Sequence, residues 1–493
     1  MQSAWARHLP AGVDPESLDL QHAGSLPAAW ASTWATHGSR RVVHDGGAWI
    51  TAAELEARSR IVAGRFARAG LAQGDRLLMS TATCAELVIA HVAALRLGLV
   101  VVPMNGAYRE REVSHIVSDS RPAAAVVDDG DRARWVRAAA PHAIVIGPDV
   151  TLPDGDAPAL DVSGPDDLAL LGYTSGTTGA PKGAMLTHGN LLASVEALRL
   201  AWRWTPGDRL VLALPLFHAH GLCVGLHGTL LCGGSVVLLP QFDVDVVLDA
   251  ARDHEATLFF GVPTMYTRLA ASDRAEELSA LRLCVSGSAP LPAELHRELT
   301  TRGGTRVLER YGMTETLMNA SNPYEGERRP GSVGIPLPMV DIQLWEDSSE
   351  ITVRGPNIFP GYWERVDATR DAFSDDWFHT GDIGSWDDDG YLTIVGRSKE
   401  LIISGGFNVY PREVEDVLLQ HPSVREVAVI GTPSDEWGET VTAVVVGEGP
   451  PDERALLEFA AEQLASFKRP RIVRYVDELP RNALGKVVRN ELR

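Results

Sequence analysis

The chain has 493 residues, of which 45% are hydrophobic, 22% charged and 6% aromatic, so it exceeds one ordinary core and reads as a soluble protein of at least two domains. Its formal net charge of −20 excludes nucleic acid as a partner, and any anionic ligand must be held by a local site against a repelling field. Cys84, Cys223, Cys232 and Cys284 show no paired spacing, which predicts reduced thiols in a cytoplasmic protein.

The N-terminal stretch MQSAWARHLPAGVDPESLDL has no apolar core of signal-peptide type. ELVIAHVAALRLGLVVVPM is the most apolar long run, but His91 and Arg96 interrupt it; a helix running into a buried strand is expected, and no membrane span. From about residue 40 to 310, apolar β-rich runs alternate with helical patterns. SVVLLPQF, DVDVVLDAARDHEA and TLFFGVPT read as strand, helix, strand, and LRLCVSG, PAELHRELTTRG and RVLERYG repeat the order. That alternation predicts layered α/β structure with largely parallel sheet, whose ligands sit at the carboxyl ends of strands. From about 340 the texture turns to short strands and turns: DIQLWE, EITVRG, WFHTGD and GYLTIVG. After GRSKELIISGG comes a small α+β unit, in which VREVAVIGTP and ETVTAVVVGEG read as strands. The helix ERALLEFAAEQLASF there is expected to bury Leu457, Ala461 and Leu464 on one face. The boundary falls at Ser398/Lys399, giving domains 1–398 and 399–493.

Residues 173–183, YTSGTTGAPKG, follow the apolar run LALLGY. Glycine permits the φ values and close approach that aim backbone N–H groups at an anion. Thr174, Ser175, Thr177 and Thr178 add hydroxyl donors around Gly176, and Lys182 adds a mobile point charge. These are the parts of a triphosphate cradle, although the spacing is not that of GxxxxGK[ST], and a flexible connector is the alternative. The lysine is notable because Lys182, Lys399, Lys468 and Lys486 are the only lysines among 45 basic residues.

The string resembles the phosphate loop of the adenylate-forming superfamily of acyl-CoA synthetases, luciferases and adenylation domains. The likeness continues in order through LPLFHAHGL (214–222), GVPTMYTRL (261–269), VSGSAPL (285–291), ERYGMTET (309–316), HTGDIG (379–384), GRSKELIISGGFNVYPREVE (396–415) and PRNALGK (480–486). RYGMTETLMN followed by NPYEGERRPGSVG is most similar to the malonyl-CoA synthetases. The resemblance implies a large N-terminal α/β domain with a β-rich subdomain and a small mobile C-terminal α+β domain. It also implies two half-reactions: a carboxylate attacks the α-phosphate of ATP, and CoA then displaces AMP from the acyl-adenylate. Both reactants are anions, so charge neutralisation and positioning dominate the barrier.

Carried over motif by motif, Lys182 would follow the β,γ-phosphates and Glu315 would bind Mg2+, which prefers hard oxygen ligands. Thr314 would donate to the α-phosphate, Tyr311 would stack on adenine, and Asp382 and Arg397 would take the ribose. Lys486 would be the catalytic lysine between carboxylate and α-phosphate, where a compact ammonium suits better than a planar guanidinium. Lys399 would be the hinge on which the small domain rotates, bringing Gly405 and Gly406 up to admit the pantetheine arm of CoA. Lys468 would touch CoA phosphates or lie on the surface. His218 would gate the passage between ATP and acid, since two histidines spaced i, i+2 make a poor zinc site.

For the acid, Arg268 and Ser288 would hold a second carboxylate, with Met313 and Ala219 limiting the substituent beside it. A small Ala between the histidines leaves room for a larger acid. The expected activity is an ATP-dependent acid–CoA ligase acting on malonate or a methylmalonate-like diacid. The alternatives are an adenylate-forming enzyme of natural-product biosynthesis acting on an aryl acid or on nitrite (diazotisation), and a non-catalytic binding protein on the same fold. Small-molecule acid, ATP and CoA are the expected partners of a monomer or weak homodimer.

Overall fold

A computed structural model describes residues 4–20, 24–174, 180–346, 348–404, 407–434, 437–447, 452–481 and 486–493. The chain forms two compact units, Met1–Ile342 with Val353–Phe378, and Gln343–Thr352 with His379–Arg493.

Two sheets organise the first unit. One has six strands in the order Ile144–Ile146, Ala124–Val127, Arg76–Ser80, Val100–Pro103, Leu168–Thr174 and Lys182–Thr187. All its pairings are parallel except the last, in which Lys182–Thr187 returns antiparallel along Leu168–Thr174 as an edge strand of that sheet. The other sheet has nine strands, parallel from Leu308–Met313 through Leu283–Ser286, Leu258–Gly261, Arg209–Leu212 and Ser235–Leu238 to Arg41–His44. Antiparallel strands flank it on both sides, Leu317–Ser321 and Ile335–Pro336 at one end and Ile50–Thr51 at the other.

The predicted strand–helix–strand repeats are present. Val244–Asp253 connects Ser235–Leu238 to Leu258–Gly261, and Ala293–Gly303 connects Leu283–Ser286 to Leu308–Met313. These strands read as unbroken apolar runs because both faces are covered and every residue of Leu258–Gly261 and Leu283–Ser286 is buried. Phe259, Tyr266, Leu269 and Cys284 centre the core between that sheet and its helices.

The apolar run at 86–104 is helix Ala85–Leu97 leading into strand Val100–Pro103. Its interrupting arginine is buried but satisfied: Arg96 pairs with Asp161 at 2.9 Å and Glu56 at 3.0 Å. Among the described residues no helix is long and apolar enough to cross a membrane.

In the second unit, Phe407–Val409, Ile402–Ser404, Gly438–Gly447 and Val424–Ser434 form a sheet, with Ile472–Tyr475 added parallel to Gly438–Gly447. Alternate side chains of the long hairpin serve two cores, as a period of two requires. Val429, Val441, Ala443 and Val445 face helices Pro411–Leu418 and Glu453–Gln463; Ala428, Ile430, Val444 and Val446 meet Leu479 and Leu492. The helix face expected to bury Leu457, Ala461 and Leu464 is turned by one residue. Leu464 is buried as expected, as the helix C-cap, and Leu457 packs at the border, but the fully buried helical pair is Leu456 and Ala460.

Histidine is unusually common in the first unit's interior. His8, His91, His188, His220 and His227 are all buried, and His91 and His227 meet through their Nε2 atoms at 2.8 Å. Burial lowers His8 and His188 to about 4 and His91 to about 3, from an ordinary 6.5, and it holds His220 and His227 well below their usual value. A depressed histidine stays neutral in the fold while the unfolded chain binds a proton below about 6.5, so stability is complete above that pH and is lost as pH falls. Each such residue costs roughly 1.4 kcal/mol per pH unit within its window. Calorimetric scans from about pH 7.5 to about pH 4.5 should show a steep fall in Tm with net proton uptake on unfolding. A flat profile would mean these rings are not neutral in the fold.

Candidate active site

The glycine-rich string opens and closes in paired strands. Thr174 ends one strand directly opposite Lys182, which begins the next, so the lysine stands at the mouth of a hairpin loop. Ser175, Gly176, Thr177 and Thr178 lie outside the described residues. The Lys182 ammonium rests over the Tyr362 ring, 5.0 Å from its centroid, within the range of a cation–π contact.

Thr314, Glu315 and Thr316 make the turn between strands Leu308–Met313 and Leu317–Ser321. Glu315 is buried, with 5% of its surface accessible, and its Oε1 accepts a hydrogen bond from the Tyr362 hydroxyl at 3.1 Å. Burial, then the Glu315 carboxylate, raise the Tyr362 phenol above its ordinary range, so it stays a donor at neutral pH. Thr314 packs on the phosphate hairpin: a Cβ at position 172 would lie 2.5 Å from its Cγ2, and Gly172 leaves that space open. Tyr311 is buried opposite Ala320, and Met313 is half-buried opposite Leu317.

A second cluster lies where strand Leu283–Ser286 ends. Ser288 has a positive φ of 71°, and its hydroxyl accepts from an Nη of Arg310 at 3.4 Å. Arg310 is 3% accessible, its Nε has no hydrogen-bond partner among the described residues, and burial lowers it to about 9. Only glycine fits beside it, since a Cβ on Gly287 would stand 2.4 Å from the guanidinium carbon.

The LPLFHAHGL segment lies within the electrostatic reach of the same guanidinium. Burial first, then the charge of Arg310 and the nearby His218, depress His220. His218 is half-buried against Phe217, and Ala219 precedes a π-helical segment, His220–Leu226, of the kind that gathers at functional sites. Arg268 is exposed on helix Pro263–Ala270 with its guanidinium over the Phe242 ring at 4.9 Å. The arginine that meets Ser288 is therefore Arg310.

In the second unit, Asp382 is buried and its Oδ1 accepts from Arg397 Nε at 2.8 Å, the two being direct partners across antiparallel strands. Thr380 fixes that aspartate by accepting its N–H at 3.1 Å and donating to the Ile351 carbonyl at 2.7 Å. Lys399 belongs to the short 3-10 turn Ser398–Glu400. Gly405 and Gly406 lie outside the described residues, between strands that pair at Ser404 and Phe407. Lys486 is half-buried, preceding Val487, which bridges to Arg481. Three residues further on, Arg489 reaches Glu400 at 3.1 Å and Glu415 at 2.8 Å, tying the segment after Lys486 to the turn that contains Lys399. Lys468 pairs with Glu413 at 2.6 Å.

Sequence reasoning passed over Tyr362, Arg310 and Arg489. Arg310 lies inside the ERYGMTET motif, and two charged residues, Glu309 and Arg310, between apolar Leu308 and Tyr311 in a buried strand were the available signal.

The model described as AMP-binding enzyme matches residues 30–363, and that described as AMP-binding enzyme C-terminal domain matches residues 413–486. Among solved structures the chain is similar to ATP-bound MatB from Rhodopseudomonas palustris, with 42% identity and a TM-score of 0.90 over 95% of this chain and 98% of that one. It is also 38% identical to a feruloyl-CoA synthase of an Amycolatopsis species over 92% of this chain and 95% of the relative. A long-chain-fatty-acid–CoA ligase of Escherichia coli O157:H7 is 33% identical over 100% of this chain and 98% of the relative.

The Gly287–Arg310 contact can be tested through stability alone. Gly287→Ala should destabilise the chain by about 1–3 kcal/mol through overpacking, measured by urea unfolding. Adding Arg310→Met, whose flexible thioether can yield, should recover part of that loss. Strict additivity of the two substitutions would mean the two residues do not press on one another.

Proposed function

The chain belongs to the AMP-binding enzyme family, as an AMP-forming acid–CoA ligase using ATP, Mg2+ and CoA, and from that premise we propose that its acid is malonate or a methylmalonate-like short dicarboxylate. The observation that carries the proposal is the buried Arg310, held against Ser288 with its Nε lacking a partner among the described residues. A desolvated guanidinium without full pairing is costly, and a second carboxylate on the substrate would supply the missing charge and acceptors. Similarity to MatB at 42% identity supports the same reading.

The roles follow from what each group can do. Lys182 leaves the Tyr362 ring for the β,γ-phosphates, and Thr314 donates to the α-phosphate. Glu315 offers Mg2+ a buried carboxylate oxygen, the hard ligand that ion prefers, so the residues fit the metal; when bound there it offsets triphosphate charge. Asp382, presented by a strand and oriented by Thr380 and Arg397, takes the ribose hydroxyls, and Tyr311 takes the adenine. Lys486 neutralises the attacking carboxylate and the α-phosphate together. Lys399 is the joint between 1–398 and 399–493, and Gly405 and Gly406 leave room for pantetheine. At the acid, Ser288 and Arg310 hold the distal carboxylate, Met313 and Ala219 bound the substituent, and His218 gates the approach. Arg268, exposed over Phe242, takes a smaller share.

A hydroxycinnamate-type aryl acid is the second reading, favoured by the 38% identity to feruloyl-CoA synthase. Pyrophosphate exchange over malonate, methylmalonate, butyrate, ferulate and nitrite, with and without CoA, separates the readings. Arg310→Met should depress kcat/KM for malonate by about thirty- to several-thousand-fold, the equivalent of ~2–5 kcal/mol, while butyrate changes little. Arg268→Met should cost malonate less than Arg310→Met does. Strong turnover of ferulate with none of malonate would overturn the dicarboxylate proposal and leave the ligase chemistry standing.

The two half-reactions make opposite demands on Lys486. Lys486→Ala should abolish adenylate formation, a loss of about 3 kcal/mol or more of transition-state stabilisation, while CoA transfer from supplied acyl-adenylate largely survives. Equal loss of both half-reactions would remove the assignment.

A further inference from the structure

Residues 355–365, GPNIFPGYWER, carry none of the sequence motifs, yet they bind both phosphate-side elements of the first unit. Asn357 Nδ2 donates to the carbonyls of Thr316 at 2.6 Å and Met318 at 3.1 Å, and the Phe359 N–H donates to the Glu315 carbonyl at 2.9 Å. The segment then crosses to the glycine hairpin. The Met185 N–H donates to the Gly361 carbonyl at 3.1 Å, the Trp363 N–H donates to Gly183 at 2.8 Å, and Tyr362 bridges Ala184. Beyond it, Arg365 pairs with Asp119, whose other oxygen accepts from the Tyr173 hydroxyl at 2.7 Å.

Tyr362 lies at the middle of this strap and makes two chemically different contacts. Its ring face carries the Lys182 ammonium at 5.0 Å, and its hydroxyl holds Glu315 at 3.1 Å. We infer that Tyr362 is a positioning residue for MgATP, keeping the ammonium and the carboxylate side by side without letting them close on one another. A direct ion pair would neutralise both groups and withdraw them from the triphosphate and the metal. The ring attracts the lysine weakly enough to release it, because a π-face holds a cation by its quadrupole and not by a full charge. The hydroxyl donates to the carboxylate and so orients it. The inference rests on the family's use of ATP and Mg2+ and is independent of which acid is activated.

Because the two contacts come from different parts of one side chain, two substitutions separate them. Tyr362→Phe keeps the ring and removes the hydroxyl; Tyr362→Leu removes both. ATP binding by isothermal titration calorimetry, without acid or CoA and across a Mg2+ series, reads the effect apart from turnover. Tyr362→Phe should raise the Mg2+ concentration for half-maximal ATP binding by about three- to tenfold while leaving affinity at saturating Mg2+ within about twofold. Tyr362→Leu should weaken ATP about fivefold or more at every Mg2+ concentration. In a Glu315→Gln background, Tyr362→Phe should add nothing further to the Mg2+ dependence. Tm measured on each variant separates these effects from unfolding. If Tyr362→Phe titrates like the unsubstituted protein, or both variants shift ATP affinity equally at all Mg2+ concentrations in step with Tm, the strap is merely structural and the inference is wrong.

Discussion

A carboxylate and a triphosphate repel one another, and a chain of net charge −20 adds to that repulsion. Any cation that serves the reactants must therefore be held locally, and the candidate cations are held differently. Lys182 rests on an aromatic face, Arg397 pairs with buried Asp382, and Arg310 is walled in against Gly287 and Ser288. These environments set what each charge is free to do. A cation resting on a ring can leave at small cost, one paired to a carboxylate orients its partner, and a buried one lacking full pairing discriminates among substrates.

The fold meets that electrostatic requirement with backbone. Strands Leu168–Thr174 and Lys182–Thr187 pair antiparallel at the edge of a parallel sheet, and the Glu315 turn closes the hairpin that flanks the second sheet. Neither hairpin could be placed to a fraction of an ångström by its own turn. Thr314 packs into the gap left by Gly172, and hydrogen bonds run from 357–363 to both hairpins. Preorganisation of this kind is worth more than additional charges, because donors already in place undergo no reorganisation at the moment of reaction.

Much of this was legible in the sequence. Apolar runs alternating with helical patterns gave away the parallel sheets, since strands covered on both faces leave no polar alternation. The ordered motifs pointed to the family, whose models match residues 30–363 and 413–486. What could not be read was partnership across the chain. Tyr362 is 180 residues from Lys182 in a stretch textured like ordinary turns, and its meaning exists only once Ala184 pairs with it. Arg310 gains its role from Gly287, a strand away. The exposure of Arg268, by contrast, was readable: Tyr266, Leu269 and Ala270 mark the buried face of that short helix, and the arginine falls off it.

The distribution of lysine follows from the same physics. Arginine supplies nearly every other cation, as in the buried networks around Arg96 and Arg282, where a planar fork satisfies several acceptors at once. At position 182 those virtues would become faults. A guanidinium would stack flat on the Tyr362 ring and could fork onto the Glu315 carboxylate, locking together the two groups that the nucleotide requires separately. A compact ammonium on a four-carbon stem touches the ring at one point and remains free to turn toward an anion. On the proposed function, lysine suits this position because the site needs a cation that is held without being captured.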